Sequence, residues 1–326
     1  MIDMGLLTDV PGVMVGHVSN YEDITGCTVI LFENSAEGVV DLRGGGTSTR
    51  QLDPLFSSHS YGSINGILLT GGSAYGLDAA GGVMRYLEER GIGLKVGYGM
   101  VVPSVPTAVI FDLGIGNGKR RPDSDMGYRA CLNASTLGFE EGSVGVGTGA
   151  TVGKLLGIKN ATKGGVGSAS YTLSDGVVVG ALVVVNAFGD VVDPESGRII
   201  AGVRDSSGGR DFPGSVNLLK QGVKWQVESF QNTTLAVICT NAKLNRSELK
   251  RVSKMGQTGI ARVILPAHTV ADGDLVFAVS CGELAGDPNV IGVVAAELVS
   301  EAIVRAVKKA RGLGGIPSWS DIEGYL

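Results

Sequence analysis

Residues 177–186 read VVVGALVVVN, and the only polar side chain among them belongs to Asn186 at the end of the run. A segment so rich in Val is typical of a β-strand. It does not alternate apolar and polar residues, as a strand with one face in water does, so we expect both of its faces to be buried. The segment therefore predicts a sheet covered by a second sheet on one side and by helices on the other, which is a layered α/β sandwich.

Further runs rich in Val, Ile, Leu or Thr predict strands elsewhere in the chain. They cover residues 28–32, 64–70, 233–240 and 274–281. No repeat of about 20 to 50 residues and no Pro-rich or Ser-rich linker divides the chain. We therefore expect a single domain over residues 1–326.

Helices are predicted between and after these strands. Ser73 is in position to cap a helix that Gly91 would end. Asn245, with Glu248 three residues later, has the spacing of a capping box for a second helix. Apolar residues at helical intervals predict a third helix over residues 289–311.

Composition excludes several classes of protein. The chain has 326 residues, a net charge of -5, and 44% hydrophobic against 18% charged residues, as expected of a globular protein. The dense basic run at Lys308, Lys309 and Arg311 is too small for a nucleic-acid binder. Apolar stretches end before the roughly 20 residues of a membrane span. Acids at Asp3 and Asp9 do not suit a secretion signal, so a cytoplasmic location is expected.

The sequence gives little support to a metal or a nucleotide cofactor. The cysteines form no CxxC pair and the histidines no HExxH motif, so no metal site is predicted. The glycine-rich stretch 142–154, GSVGVGTGATVGK, suggests a phosphate-binding loop. A P-loop would require Gly in place of Thr148 and Ser or Thr in place of Leu155. Loops of this kind more often bring the backbone close to a core or to a substrate.

Two other glycine-rich segments adjoin the predicted elements. They are RGGGT at residues 43–47 and TGGSAY at residues 70–75. Binding loops are commonly built at the ends of strands and helices. Each segment is equally well interpreted as a turn, and the sequence leaves both interpretations open.

The last third of the chain carries the residues of greatest chemical interest. It contains QNTTLAVICTNA at 231–242 and HTVADGDLVFAVS at 268–280. Taken alone, these are the start of a strand and a turn that leads into another strand. If the second segment is extended, Asp272 and Asp274 place both carboxylates on one face.

With these residues the sequence resembles the DmpA-type family of L-aminopeptidases/D-esterases, which includes β-aminopeptidases and nylon-oligomer endohydrolases. The nylon-oligomer branch is matched best, and the resemblance extends over nearly the whole chain. The matching stretches are PGVMVGHV from Pro11, RGGGT, LTGGSAYGLDAAGGVMRYLEERG, Asn232-Thr233-Thr234, Thr240-Asn241, His268-Thr269 and Asp272-Gly273-Asp274 through FAVS.

The resemblance implies a four-layer αββα sandwich, related to amino-terminal-nucleophile hydrolases and shared with ornithine acetyltransferases. It implies a precursor that cleaves itself between Asn232 and Thr233 into an α chain, 1–232, and a β chain, 233–326. Thr233 would then be the nucleophile, and its own amine, with a pKa of about 8, would be the base. No cofactor is needed, and relatives suggest a homotetramer of α/β heterodimers.

The resemblance also assigns roles around Thr233. Asp272 and Asp274 would lie beside it, orient its hydroxyl and stabilise the ammonium form of its amine. Asn186 matches an oxyanion-hole position, where its amide would donate to the tetrahedral intermediate. Lys154 matches a catalytic-site lysine of the nylon-oligomer branch, although a solvated lysine at a helix start is an alternative interpretation.

The substrate pocket is less defined. Many family members carry a Tyr at the position of Phe111, and the missing hydroxyl would remove a hydrogen-bonding group near the substrate. Tyr75 and Arg43 are further candidates for the pocket lining. We expect a small-molecule, peptide-like or polyamide substrate such as a 6-aminohexanoate oligomer, and the family preference for β-amino acids is not transferred.

Two other functions stay open. One is acyl transfer to an amine, as in ornithine acetyltransferases, although the Ala-Thr-Met style cleavage region is absent. The other is a catalytically inert binding protein in which Thr233 is never released. Retention of Thr233, Asp272, Asp274 and Asn186 together argues against that second alternative.

Overall fold

The computed structural model describes residues 5–56, 62–224 and 232–323. The strands of this part are β1 Val13–Asn20, β2 Thr25–Leu42, β3 Thr49–Arg50, β4 Ser63–Thr70, β5 Leu94–Gly97, β6 Met100–Val102, β7 Thr107–Val109, β8 Thr151–Val152, β9 Thr162–Lys163, β10 Gly165–Thr172, β11 Val178–Asn186, β12 Asp190–Val192, β13 Ile199–Ala201, β14 Thr233–Ala242, β15 Ile264–Leu265 and β16 Leu275–Leu284. The α-helices are α1 Ala79–Glu88, α2 Ser124–Leu132, α3 Ser215–Lys220, α4 Arg246–Val263, α5 Pro288–Lys308 and α6 Trp319–Glu323.

Most of the long strands belong to one continuous hydrogen-bonded array. Its order is β10-β11-β14-β16-β2-β4-β7-β3, and β1 pairs with the outer part of β2. The 18-residue strand β2 connects two layers, because its first half pairs with β1 and β4 and its second half with β16. The β2–β4 register breaks between Leu31 and Ala36, which is where the strand changes layer.

The alternating side chains of β11 contact two different cores. Val179, Ala181, Val183 and Val185 pack with the residues of α4 and α5. The intervening Leu182 and Val184, together with Val178, pack against strands β1, β2 and β4 of the other layer. Both faces of the strand are therefore buried, as its apolar sequence predicts.

A third core lies outside the second layer of strands. Cys27, Val29 and Leu31 of β2 and Leu68 of β4 pack against the residues of α1 and α2. The order of layers is thus α4 and α5, sheet, sheet, and α1 with α2. This arrangement confirms the predicted αββα sandwich.

The predicted capping box of the second helix is confirmed. The Asn245 side chain accepts hydrogen bonds from the N–H groups of Ser247 and Glu248, at 3.0 and 3.1 Å, and the Glu248 carboxylate accepts the Asn245 N–H at 2.8 Å. Helix α5 starts one residue earlier than predicted, at Pro288, and ends at Lys308 instead of residue 311. Within the described ranges, no helix has the length and apolar character needed to cross a membrane.

The prediction that Ser73 caps a helix is wrong. Ser73 has a left-handed backbone with φ of 53°, and its N–H donates to the carbonyl of Ile110 at 3.0 Å. A 3₁₀ helix over Ser73–Asp78 precedes α1. Helix α1 itself begins at Ala79, six residues after Ser73. Gly91, with φ of 69°, follows the helix as predicted.

The strand order brings the ends of three neighbouring strands, β11, β14 and β16, together at one end of their sheet. Strand β14 lies between β11, which is antiparallel to it, and β16, which is parallel to it. Consequently the starts of β14 and β16 meet the end of β11. These ends carry Thr233, the Asp272–Asp274 segment and Asn186.

Candidate active site

Thr233 lies directly opposite Asn186 in the β11–β14 register. Paired residues of neighbouring antiparallel strands direct their side chains to the same face. On the other side of Thr233, residue Asn232 forms a bridge with Asp272. The register therefore brings the predicted nucleophile, oxyanion donor and first carboxylate together.

The peptide bond between Asn232 and Thr233 is buried and held by hydrogen bonds. The Asn232 carbonyl oxygen accepts the N–H of Gly273 at 2.8 Å and the hydroxyl of Thr233 at 2.5 Å. Asn232 is only 2% exposed and Thr233 only 5%. Two donors at one carbonyl oxygen polarise the carbonyl, and Gly273 allows the close approach because a Cβ there would lie 3.0 Å from Thr233 Oγ1.

The Asp272 carboxylate accepts three hydrogen bonds from two segments. The donors are the N–H of Phe188 at 3.1 Å, the N–H of Thr269 at 3.1 Å and the Thr269 hydroxyl at 2.5 Å. Burial and then the neighbouring Asp274 charge raise the pKa of Asp272 to about 6, although these hydrogen bonds favour its charged form. This side chain connects the segment before β16 to the segment that follows β11.

The Asp274 carboxylate holds the start of β14. It accepts the N–H of Thr234 at 2.7 Å, and both the N–H and Nδ1 of His268 lie 3.0 Å from its other oxygen. These bonds go to the backbone of Thr234 and to the backbone and imidazole of His268. The predicted orientation of the Thr233 hydroxyl by the two carboxylates stays a prediction.

The sequence motifs assign no separate role to His268 or Thr269. Thr269 carries a detectable signal, because a Thr three residues before an Asp is a common side-chain hydrogen-bonding spacing in turns. For His268, nothing in its local sequence indicates a contact with a carboxylate six residues later. Both residues fix the carboxylates beside Thr233.

The RGGGT segment forms hydrogen bonds to residues 272–274, which we call the acidic segment. The N–H groups of Arg43 and Gly44 donate to the Asp274 carbonyl, at 3.0 and 3.1 Å, and Gly46 donates to that of Asp272 at 2.9 Å. A Cβ on Gly44 would lie 2.3 Å from the Asp272 carbonyl oxygen. The Arg43 guanidinium pairs with Asp41 at 2.9 Å and is 42% exposed.

Lys154 is buried, so the interpretation as a solvated lysine at a helix start is wrong. Its Nζ lies 2.8 Å from the Thr151 carbonyl oxygen, 3.3 Å from the Thr151 hydroxyl, and 2.9 and 3.0 Å from the backbone and side-chain oxygens of Asn186. Burial lowers the pKa of Lys154 to about 7, the Asp272 charge opposes this shift, and the charge of Lys163 adds to it. An amine of this kind can be neutral or charged near physiological pH.

The Asn186 side chain is held at both ends. Its Oδ1 accepts the N–H of Thr151 at 3.0 Å as well as Lys154 Nζ, and its Nδ2 donates to the Phe111 carbonyl at 3.3 Å. Phe111 therefore reaches the site through its backbone. These contacts fix where the amide points.

Tyr75 lies apart from these contacts. It is 59% exposed, and the Arg121 guanidinium lies 3.8 Å from the centre of its ring. Its role in the pocket lining, like that of Arg43 and Phe111, stays a prediction.

The glycine-rich stretch 142–154 brings the backbone close to a core, which is one of the two predicted alternatives. It forms a buried 3₁₀ turn over Gly145–Gly149, and a Cβ on Gly153 would lie 2.0 Å from the Gly202 carbonyl carbon. Over the ranges described, no three His, Cys, Asp or Glu side chains are arranged to hold a metal ion.

Comparison with known proteins identifies the class to which this fold and site belong. The solved structure of the L-aminopeptidase D-Ala-esterase/amidase from Ochrobactrum anthropi, described as a variant of the Ntn hydrolase fold, matches with a TM-score of 0.74 and 20% identity over 96% of this chain and 88% of that one. The protein thus has the architecture of this variant.

The chain belongs to peptidase family S58, whose model matches residues 5–318. It is therefore an amide-bond hydrolase. It is 39% identical to an uncharacterized aminopeptidase of Mycobacterium tuberculosis, over 98% of each chain. It is 33% identical to a 6-aminohexanoate-oligomer endohydrolase of Kocuria sp., over 92% of this chain and 85% of that protein.

Proposed function

We propose that the protein cleaves its own chain between Asn232 and Thr233 and then uses Thr233 as an amino-terminal nucleophile to hydrolyse amide bonds. The observation that carries the proposal is the buried Asn232 carbonyl, which accepts hydrogen bonds from Gly273 N–H and from the hydroxyl of the next residue.

Self-cleavage begins with attack of the Thr233 hydroxyl oxygen on the Asn232 carbonyl carbon. The C–N bond breaks, the hydroxyl proton ends on the departing nitrogen, and an ester joins Asn232 to Thr233. Water then hydrolyses the ester, which leaves a carboxylate on Asn232 and restores the hydroxyl. The Gly273 N–H is already 2.8 Å from the oxygen on which negative charge develops.

The released amine of Thr233 then serves as the base for its own hydroxyl. Attack on a substrate amide gives an acyl-enzyme, and the amine returns the proton to the leaving nitrogen. Asp272 and Asp274 stabilise the transient ammonium ion by their charge. Asn186 and Lys154 are the candidate donors to the substrate oxyanion. Asn186 lies opposite Thr233 in the β11–β14 register, and Lys154 is hydrogen-bonded to the Asn186 side chain.

The proposed substrates are peptide-like or polyamide amides. This choice is supported by the names of the relatives, which include aminopeptidases and 6-aminohexanoate-oligomer endohydrolases. Phe111 is the pocket candidate with the most direct support, because its carbonyl contacts Asn186. Tyr75 and Arg43 remain candidates for more distant parts of the pocket.

A homotetramer of α/β heterodimers in the cytoplasm is part of the proposal. The hairpin of β5 and β6 supports association, because it forms a two-stranded sheet of its own with apolar side chains exposed. These are Leu94, Val96, Met100 and Val102, at 44%, 44%, 54% and 45% exposure. Apolar patches of this kind commonly mark interfaces.

The test combines intact mass with a panel of amides. The panel contains L-aminoacyl p-nitroanilides, a β-alanine p-nitroanilide and linear 6-aminohexanoate oligomers, and the assay follows release of the amine. We expect hydrolysis by the processed protein and none by Thr233→Ala. A fully processed protein that hydrolyses no member of the panel would contradict the proposed activity.

A further inference from the structure

Two further charged residues near the candidate site, Lys163 and Asp112, are buried, and we call them the buried pair. Lys163 on β9 is 0% exposed, and Asp112, which follows Phe111, is 4% exposed. Burying a charge is costly unless hydrogen bonds or an opposite charge offset the loss of water. A fold retains such groups where their contacts matter.

Lys163 holds the turn that leads to Lys154. Its Nζ donates to the carbonyls of Thr148 and Ala150, at 2.9 and 2.5 Å. In the β8–β9 register, Lys163 lies opposite Thr151. The Ala150 carbonyl and the Thr151 N–H belong to the same peptide group, and that N–H donates to Asn186 Oδ1.

Asp112 holds the segment on the other side of Asn186. Its carboxylate accepts the Thr25 hydroxyl at 2.6 Å and the Gly72 N–H at 2.7 Å. The residue before Asp112 is Phe111, whose carbonyl accepts Asn186 Nδ2. Asn186 is therefore gripped by two backbone segments, and each segment is anchored by one member of the buried pair.

We propose that Lys163 and Asp112 are positioning residues that fix the Asn186 amide for oxyanion binding. This inference rests on the proposed function, in which Asn186 donates to the oxyanion. A displacement of about 1 Å of a catalytic group can cost on the order of 10²-fold in rate. Within the described chain, the hydrogen bonds of Lys163 and Asp112 go to backbone groups and to Thr25, so these bonds act on Asn186 through the two neighbouring segments.

Electrostatics link the pair to the site as well. Burial lowers the pKa of Lys163 to about 7 and raises that of Asp112 to about 6, and each shift is opposed by the charge of the other residue. The charge of Lys163 also lowers the pKa of Lys154, against the opposing charge of Asp272. Removal of Lys163 therefore changes both the hydrogen bonds that hold the segment next to Asn186 and the electrostatic potential around Asn186.

A double-mutant cycle on the processed protein tests the inference. The variants are Lys163→Met, Asn186→Ala and the double substitution, with Lys159→Met as a control that removes an exposed lysine four residues away. The substrate is the member of the amide panel that the wild type hydrolyses fastest. Circular dichroism and the melting temperature establish that each variant is folded.

We expect Asn186→Ala to lower kcat by about 10²-fold. Lys163→Met should lower kcat about tenfold or more, with KM changed less than about twofold, because positioning acts on the transition state. In the Asn186→Ala background the same substitution should cost less than about twofold, since the residues act as a unit. Lys159→Met should match the wild type.

Equal losses from Lys163→Met in both backgrounds would overturn the inference and leave Lys163 a structural residue. If Lys163→Met does not fold, the near-isosteric Asp112→Asn enters the same cycle under the same criterion. Failure of the proposed function gives a different result: the wild type then remains one chain, or is processed and hydrolyses none of the panel.

Discussion

The backbone N–H of Gly273 lies 2.8 Å from the carbonyl oxygen of Asn232. This contact joins the segment before β16 to the peptide bond before β14. On either side of it, Asp272 accepts the N–H of Phe188, two residues after the end of β11, and Asp274 accepts the N–H of Thr234. The peptide bond is thus fixed on three strands before any chemistry takes place.

Thr233→Ala should give a folded protein that remains a single, inactive chain, because the attacking hydroxyl is absent. The measurement is intact mass together with circular dichroism. Thr234→Val is the matched control: it changes the adjacent Thr, whose hydroxyl is buried and makes no hydrogen bond within the described chain. The control should split normally. Splitting of Thr233→Ala at the same bond would refute the nucleophile assignment.

Gly44→Ala should slow self-cleavage and lower stability. Its new Cβ would lie 2.3 Å from the Asp272 carbonyl oxygen and from the Asp274 N, so the acidic segment has to move. Overpacking of this kind costs about 1–3 kcal/mol. Gly208→Ala is the control, since a Cβ there meets nothing within 4 Å. If Gly44→Ala splits at the same rate and unfolds at the same temperature as the wild type and Gly208→Ala, the close approach of Gly44 to Asp272 is unimportant for self-cleavage and stability.

Asp272→Asn should change how stability depends on pH. The pKa of Asp272 is raised to about 6 in the folded protein, so the folded state binds more protons than the unfolded state between about pH 4 and 6. The stability from this group is present below about pH 4 and is lost as the pH rises through 6.

The Asn variant lacks that loss, so its stability relative to the parent should rise between pH 4 and 6. Both proteins carry Thr233→Ala to keep the chain intact, and urea unfolding gives the free energies. A stability difference that is constant over this range would contradict the assignment of the pKa.

Replacing Leu94 and Met100 together by Glu should reduce the mass of the assembly in solution, since the charges would disrupt an apolar interface on the β5–β6 hairpin. Light scattering after size exclusion measures the mass. Leu137→Glu is the control, because Leu137 is 96% exposed and lies outside the hairpin. If the double variant keeps the wild-type mass, the hairpin is not an interface.

Much of the architecture is predictable from sequence because its signals are local. The apolar run of β11 predicts a strand buried on both faces, and the Asn245 capping box predicts the start of α4. The length of β2 is not predictable in this way. Its polar residues Glu33, Asn34 and Ser35 interrupt the apolar pattern where the strand passes between layers, so only residues 28–32 are predicted as strand.

The same distinction between local and long-range signals applies to the residues of the candidate site. Thr233 is proposed through the Asn232-Thr233-Thr234 motif, and Asp272 and Asp274 through the Asp272-Gly273-Asp274 motif, because each motif is a short continuous stretch of sequence. The burial of Lys154 is not predicted, because two of its four acceptor atoms belong to Asn186, which is 32 residues away along the chain. Lys163 and Asp112 are missed for the same reason, since their support of Asn186 exists only after the strands have assembled.

The most direct test of the central claim is the intact mass of freshly purified protein under denaturing conditions. Self-cleavage between Asn232 and Thr233 predicts two chains, residues 1–232 and residues 233–326, with Thr233 at the new amino terminus. A single species of 33.5 kDa that persists through long incubation would contradict it. In that case Thr233 is not released, and the interpretation as a binding protein would take precedence.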